Sequence, residues 1–214
     1  MASLDSDVAG ELRIGSFSSA SRVVVPRAIA RMRKLHPGLE VSFVAGDTDD
    51  LLPAVVGREL DLAVVDSWVT MPLHLPEDTA DVALPADHRL AAAAQIELDE
   101  VADMPWTTWR KGESFHTWLV QTLRMRGVEP LIRYEIPEFA AQLKFVAHGL
   151  AAALIPRLAR IWVPDDVAIV AVHPVLRREI FALRRKDNDR PTVRTGIDAS
   201  SEVFAAISAS GGPT

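Results

Sequence analysis

Apolar positions along the chain recur at two spacings, and the alternation between them predicts an α/β protein with a mostly parallel sheet. Residues 12–14 read as a short strand, and a serine-rich loop over 15–21 follows it. The next segment places Val25, Ala28, Ile29, Met32 and Leu35 at helical spacing, and His36, Pro37 and Gly38 stop it. Residues 39–45 predict a second strand, with Val41 and Phe43 on one face. Gly46, Asp47 and Thr48 turn the chain and can cap a helix over 49–58, which carries Pro53 in its first turn. Residues 61–65 form a nearly continuous apolar run, as expected of a strand buried on both faces. The stretch 66–81, with Pro72 and Pro76, reads as a loop.

The same alternation continues through the second half. Strands are predicted over 82–84, 104–109, 133–136, 152–155, 167–172 and 179–184. A helix carrying Phe115, Trp118, Leu119, Thr122 and Leu123 on one face ends at Gly127. Another carries Phe139, Leu143, Val146 and Ala147 and closes at His148 and Gly149; the last helix spans about 192–207. A strand, a polar loop and a helix follow one another near 12–35, 104–126 and 133–148. Ligands of open α/β sheets collect at the carboxyl ends of strands, and helix N–H groups aimed out of such loops bind carboxylates or phosphates. Two lobes facing each other with loops of this kind would make a clamp.

Composition narrows the function. With 214 residues and 49% hydrophobic positions, the chain can build one large domain or two small lobes. A net charge of -6 argues against nucleic-acid binding through its own surface, because that binding rests on Lys and Arg neutralising phosphates. The absence of cysteine excludes disulfides, thiol catalysis and Cys-ligated zinc, and suits a cytoplasmic location. The N-terminus carries two acids and no apolar core of a secretory signal, and no stretch is long and apolar enough to span a membrane.

Several positions could carry chemistry. Ser16, Ser18, Ser19 and Ser21, with Phe17 among them, crowd one strand-to-helix loop; hydroxyls and helix N–H groups there could hold an acidic group, or merely cap the helix. Thr48 occupies an equivalent turn. Asp66, Ser67 and Trp68 end the buried strand, as a site residue or as an ordinary turn. Trp109, Arg110, Lys111, Glu113, Ser114 and His116 start a helix and could line a pocket, whereas Trp118 falls on the apolar stripe and reads as core. Arg27, Arg31 and Lys34 form a stripe best read as a solvated face or subunit contact.

No enzymatic signature stands out. There is no Gly-x-Ser-x-Gly elbow, phosphate-binding P-loop or His-Glu-x-x-His, and the six histidines show no metal-ligand helix spacing. A ligand-sensing, non-catalytic protein without cofactor or metal is expected.

The order of the motifs resembles the effector-binding domain of LysR-type transcriptional regulators, from about residue 10 to 207. The resemblance is carried by GELRIG at 10–15, the stretch from Pro26 through HPGLEV at 36–41, GDTDDLL at 46–52, LDLAVV at 60–65, LPADHRLA at 84–91, LKFVAHGL at 143–150 and ALIP at 153–156. It implies two Rossmann-like lobes of the type 2 periplasmic-binding-protein kind, joined by crossover strands at 82–85 and 179–184. Residues 10–79 and 187–214 would form lobe I, 80–186 lobe II, and 1–9 a linker remnant or added start. It implies an effector in the inter-lobe cleft, touched by Ser16 to Ser19, Thr48, the loop from Trp109 to Ser114, and Glu138. It also implies a homodimer or homotetramer that binds DNA through an N-terminal winged helix-turn-helix outside these residues. Hydroxyls, helix N-termini and Arg110, Lys111 or His116 suit an acidic effector; Phe17, Trp68 and Trp109 suit an aromatic body. The segment 66–82 is shorter than the family's usual one, Ala151 stands where glycine is common and Arg89 where proline is. A solute-binding protein of the same fold is the runner-up, and a small hydrolase or lyase stands behind it.

Overall fold

A computed structural model describes residues 8–67 and 75–209. In chain order the elements are β1 (Gly10–Ser16), α1 (Ser18–Val23), α2 (Val25–Leu35), β2 (Leu39–Ala45), α3 (Thr48–Val56), β3 (Leu62–Ser67) and β4 (Leu75–Pro85). Then follow β5 (Gln95–Ile96), β6 (Pro105–Thr108), α4 (Ser114–Arg124), β7 (Leu131–Glu135), α5 (Phe139–Ala147), β8 (Ala152–Pro156), β9 (Val167–Val172), β10 (Leu176–Leu183) and α6 (Pro191–Ala209). The chain falls into two compact units, Met1–Glu77 with Glu179–Pro213, and Asp78–Arg178. The chain passes from one unit to the other within β4 and again within β10.

In the first unit β1 is flanked by β2 and β3, both parallel to it, and β10 runs antiparallel to β3. Leu12 and Ile14 of β1 pack with Ala28 and Met32 of α2 and with Val193 and Ala199 of α6. These are the periodic apolar positions of α2, so the helix forms because its stripe has a sheet to bury against. Gly196 permits the close approach of α6: a Cβ there would stand 2.9 Å from Leu12 Cδ2 and 3.0 Å from Leu62 Cδ2. β2 pairs with β1 alone among the described strands, and Phe43 and Val44 near its end are exposed. The basic stripe of α2 is exposed, and Arg31 pairs with Glu202 of α6 at 2.6 Å.

Asp61, buried just before β3, ties this unit together. It accepts the Arg13 backbone N–H at 3.0 Å, the Arg13 side chain at 3.2 Å and the Arg190 guanidinium at 2.6 Å. Burial alone would raise its pKa, but the bonds from Arg13 and the charges of Arg190 and Arg13 outweigh that and hold it below the usual carboxylate range. A carboxyl depressed in the folded state contributes stability above its unfolded pKa of about 3.9 and loses it as pH falls through the folded value. Urea denaturation along a pH series should therefore show a loss of stability below about pH 4 that is shallower in Asp61→Asn; an unchanged acid limb would rule this linkage out.

In the second unit β8 lies between β4, antiparallel to it, and β6, parallel to it; β6 continues to β7, also parallel. β9 runs antiparallel to β4 and parallel to the short β5. All five residues of β8 are buried, as its apolar run requires. Gly127 and Gly149, at φ +74° and +70°, take the left-handed conformation that ends α4 and α5. The expected loop over 66–81 needs correction: β3 reaches Ser67 and β4 begins at Leu75. Pro72 and Pro76 suggested a loop, yet Asp78 and Asp81 are buried, neutralised by Arg178 and by Arg160, the latter at 2.7 Å.

Candidate functional site

The expected site residues sit at the carboxyl ends of β1, β2 and β3 in the first unit and of β6 and β7 in the second. In the first, Ser16, Phe17 and Ser19 are buried and Ser18 is half-buried. Ser16 Oγ lies 2.8 Å from Ser21 Oγ, and Ser21 Oγ donates to the carbonyls of Ser16 or Phe17, at 3.1 and 2.9 Å. These two hydroxyls spend their protons inside the loop, Ser21 bonding back to a carbonyl one turn earlier as serine does inside a helix. α1 is only six residues long, and Phe17 takes its N-cap position.

Thr48 is not the N-cap of α3; Asp47 holds that place. The Thr48 hydroxyl accepts the Asp66 N–H at 3.3 Å and donates to Asp66 O or Oδ1, each at 3.0 Å. Two residues expected independently are thus brought together, and Thr48 anchors the end of β3. Asp66 is half-buried. Trp68 lies outside the described residues.

In the second unit Trp109 is 8% exposed, with its ring centroid 5.4 Å from Phe115 and 5.7 Å from Phe139. Phe115 meets Phe139 edge-on at 5.2 Å and Trp118 at 5.6 Å, so four rings fill the space under the β6–α4 and β7–α5 loops. Trp118, read as core, is half-buried in this cluster. Glu113 precedes α4 and accepts the Arg110 N–H at 2.8 Å; Ser114 is exposed. His116 Nδ1 lies 3.3 Å from the Trp109 carbonyl. Glu138 caps α5, accepting N–H groups from Ala140 at 3.0 Å and Ala141 at 2.7 Å. That helix end, which could have held an acidic ligand, is filled by the chain's own carboxylate.

Sequence reading missed three polar residues here. Thr107, Thr108 and Gln142 are fully buried, and Thr107 Oγ1, Thr108 Oγ1 and Gln142 Oε1 have no hydrogen-bond partner among the described residues. Buried groups left this way cost about 1–3 kcal/mol each, so they call for a physical reason. The signal available beforehand was a Thr-Thr pair closing a strand otherwise destined for the core, and a glutamine on the apolar face of α5.

Among the described residues no group of three or more His, Asp or Glu side chains could hold a metal ion, and no helix is long and apolar enough to cross a membrane.

Comparison with known proteins adds the lineage. The model of the LysR substrate binding domain matches residues 5–205. The HTH-type transcriptional regulator CysL of Bacillus subtilis (strain 168) is 23% identical over 185 residues, covering 84% of this chain and 60% of CysL. The chain thus spans well under two thirds of that relative's length. Among solved structures, the PA01 protein, a putative LysR family transcriptional regulator from Pseudomonas aeruginosa, superposes with a TM-score of 0.80 at 20% identity, over 94% of this chain and 74% of that one. The effector binding domain of QuiR in complex with shikimate superposes with a TM-score of 0.75 at 18% identity, over 93% and 99% of the two chains. The mixed α/β fold, with its loops clustered at the carboxyl ends of strands in each unit, is therefore the type 2 periplasmic-binding-protein-like fold of these domains, and the chain belongs to the LysR substrate binding domain family.

Proposed function

We propose that this chain is the effector-sensing part of a LysR-type transcription regulator, acting by binding a small molecule and not by catalysis. The match of the family model over residues 5–205 carries the reading. The structure of QuiR with shikimate supports it, since a relative of the same fold holds a small molecule. The segments after β1, β2 and β3, with Ser16 to Ser19, Thr48 and Asp66, and those after β6 and β7, with Trp109, Glu113, Ser114 and Glu138, are the contacts assigned to the effector. Binding shifts the balance between conformations only as far as the effector prefers one of them.

DNA contact belongs to a segment of the full regulator beyond this chain, in keeping with the helix-turn-helix in the name of CysL and with a net charge of -6 here. The regulator works in the cytoplasm as a homodimer or homotetramer. A thermal-shift screen of small metabolites tests the reading. A ligand at 100 times its Kd adds about 2.7 kcal/mol of stability. For a chain of this size that raises Tm by roughly 5–11 °C. A panel of acids, polyols and amines that leaves Tm unmoved to within a degree would sink the proposal.

A further inference from the structure

The sheet of the first unit is covered unequally on its two faces. α2 and α6 close one of them. On the other, α3 packs through Leu51 and Val55 against Leu60, Ala63, Val65 and Phe181, a cluster that includes no residue of β2. Gly15 marks how tightly α3 sits on β1: a Cβ there would stand 2.5 Å from Leu51 Cδ2 and 2.6 Å from Leu60 Cδ1. Val44 is the register neighbour of Gly15 and faces the same way one strand further out, yet it is 48% exposed. Between β2 and α3 the fold therefore leaves a cavity of about 410 Å³, within the roughly 300–1,000 Å³ of small-molecule sites. Val44, Leu51, Ala54 and Leu60 build its apolar wall.

Two carboxylates complete the lining, Asp50 from the first turn of α3 and Glu59 from the turn that follows the helix. The described lining residues include no lysine or arginine. Both acids are exposed, and neither side chain has a hydrogen-bond or ion-pair partner among the described residues. Other acids of this unit stand differently: Asp61, Asp187, Asp189 and Glu202 each face an arginine. Arg58, next to Glu59 in the chain, takes a left-handed φ of +65° and gives its guanidinium to Asp187 at 2.8 Å. The N-terminus of α3 favours an acid at position 50. It gives no reason for Glu59, nor for an apolar wall left open beside two unpaired charges.

We propose that this cavity is a second ligand site, for a small organic ammonium compound. The apolar body lies on Val44, Leu51, Ala54 and Leu60, and the ammonium group meets Asp50 and Glu59. Both carboxylates repel an anion, and a neutral compound of the same shape leaves them without a partner. The lining includes none of Ser16, Thr48 and Asp66, so the site is separate from the segments assigned to the effector and does not rest on that reading.

An amide NMR titration at matched ionic strength tests the proposal. Its probes are benzylamine and cyclohexylamine, with benzyl alcohol as the neutral counterpart and benzoate as the anionic one. The amines should give saturable shifts at residues 42–46 and 50–60, and benzyl alcohol and benzoate should bind there more weakly. In Asp50→Asn/Glu59→Gln the amine affinity should fall about 2–30-fold, the loss expected for two partly exposed charge contacts. Both changes stand at exposed positions, so the variant keeps the parent's fold and amide spectrum. Glu40→Gln, an exposed acid of β2 outside the cavity, should leave the affinity unchanged. Benzyl alcohol or benzoate binding as tightly as benzylamine would overturn the site. So would amine affinity indifferent to the double variant, shifts gathered at residues 16–19 and 109–116 instead, or amines that give no saturable shift.

Discussion

Arg178→Met is expected to cost about 3–5 kcal/mol of stability, the loss typical of stranding one charge of a buried pair. The Arg178 guanidinium pairs with the Asp78 carboxylate, and the two side chains are 2% and 4% exposed. Asp78 also accepts the N–H of Thr79 at 2.9 Å and of Leu158 at 3.4 Å, so it holds β4 to the turn after β8. Removing the arginine leaves that carboxylate charged in a space water cannot reach. Protonating it or pulling it out are both costly. The double variant Asp78→Asn/Arg178→Met removes both charges, and the amide oxygen still accepts one of the two N–H groups, which reach different carboxylate oxygens in the parent. It should recover at least half of the loss. Urea denaturation of the parent, both single variants and the double closes the cycle. A single-variant loss under about 1 kcal/mol would mean that the pair is solvated and not the clamp it looks like.

That pair also marks the limit of what the chain discloses by itself. Elements with a local period were legible: the α2 stripe of Ala28 and Met32, the α4 stripe of Phe115, Leu119 and Leu123, the apolar run of β8 and the helix-ending Gly127 and Gly149 all stand where spacing put them. β4 was not. Most of it fell within the stretch read as a loop with Pro72 and Pro76, and the partners of its buried Asp78 and Asp81, Arg178 and Arg160, lie 100 and 79 residues away. Local pattern carries no information about such a partner.

The site divides along the same line. The strand-to-helix loops could be located from periodicity, and Thr48 and Asp66 were singled out separately, but their mutual bonds depend on β3 lying beside β1 and α3 packing over it. Glu138 was named only through family resemblance, and its part as the cap of α5 needed coordinates. Thr107, Thr108 and Gln142 escaped notice because a polar residue in an apolar run looks like tolerated noise until its burial and lack of partners are known.

Trp106→Ala should be the most damaging single change in the apolar core of the second unit, at about 3–5 kcal/mol. Trp106 is the largest fully buried side chain among the described residues, on β6 between β7 and β8, where Ala152 opposite it is too small to fill the space left behind. The cavity has no route to collapse without moving the strand that carries Thr107 and Thr108. At 2–4 °C per kcal/mol for a chain of this size, Tm should fall by roughly 6–20 °C. Trp106→Phe separates packing from hydrogen bonding. The indole Nε1 has no partner among the described residues, so phenylalanine gives up area and no bond, and it should cost under about 2 kcal/mol. If Phe proved as damaging as Ala, the indole N–H would be engaged, by a water or otherwise.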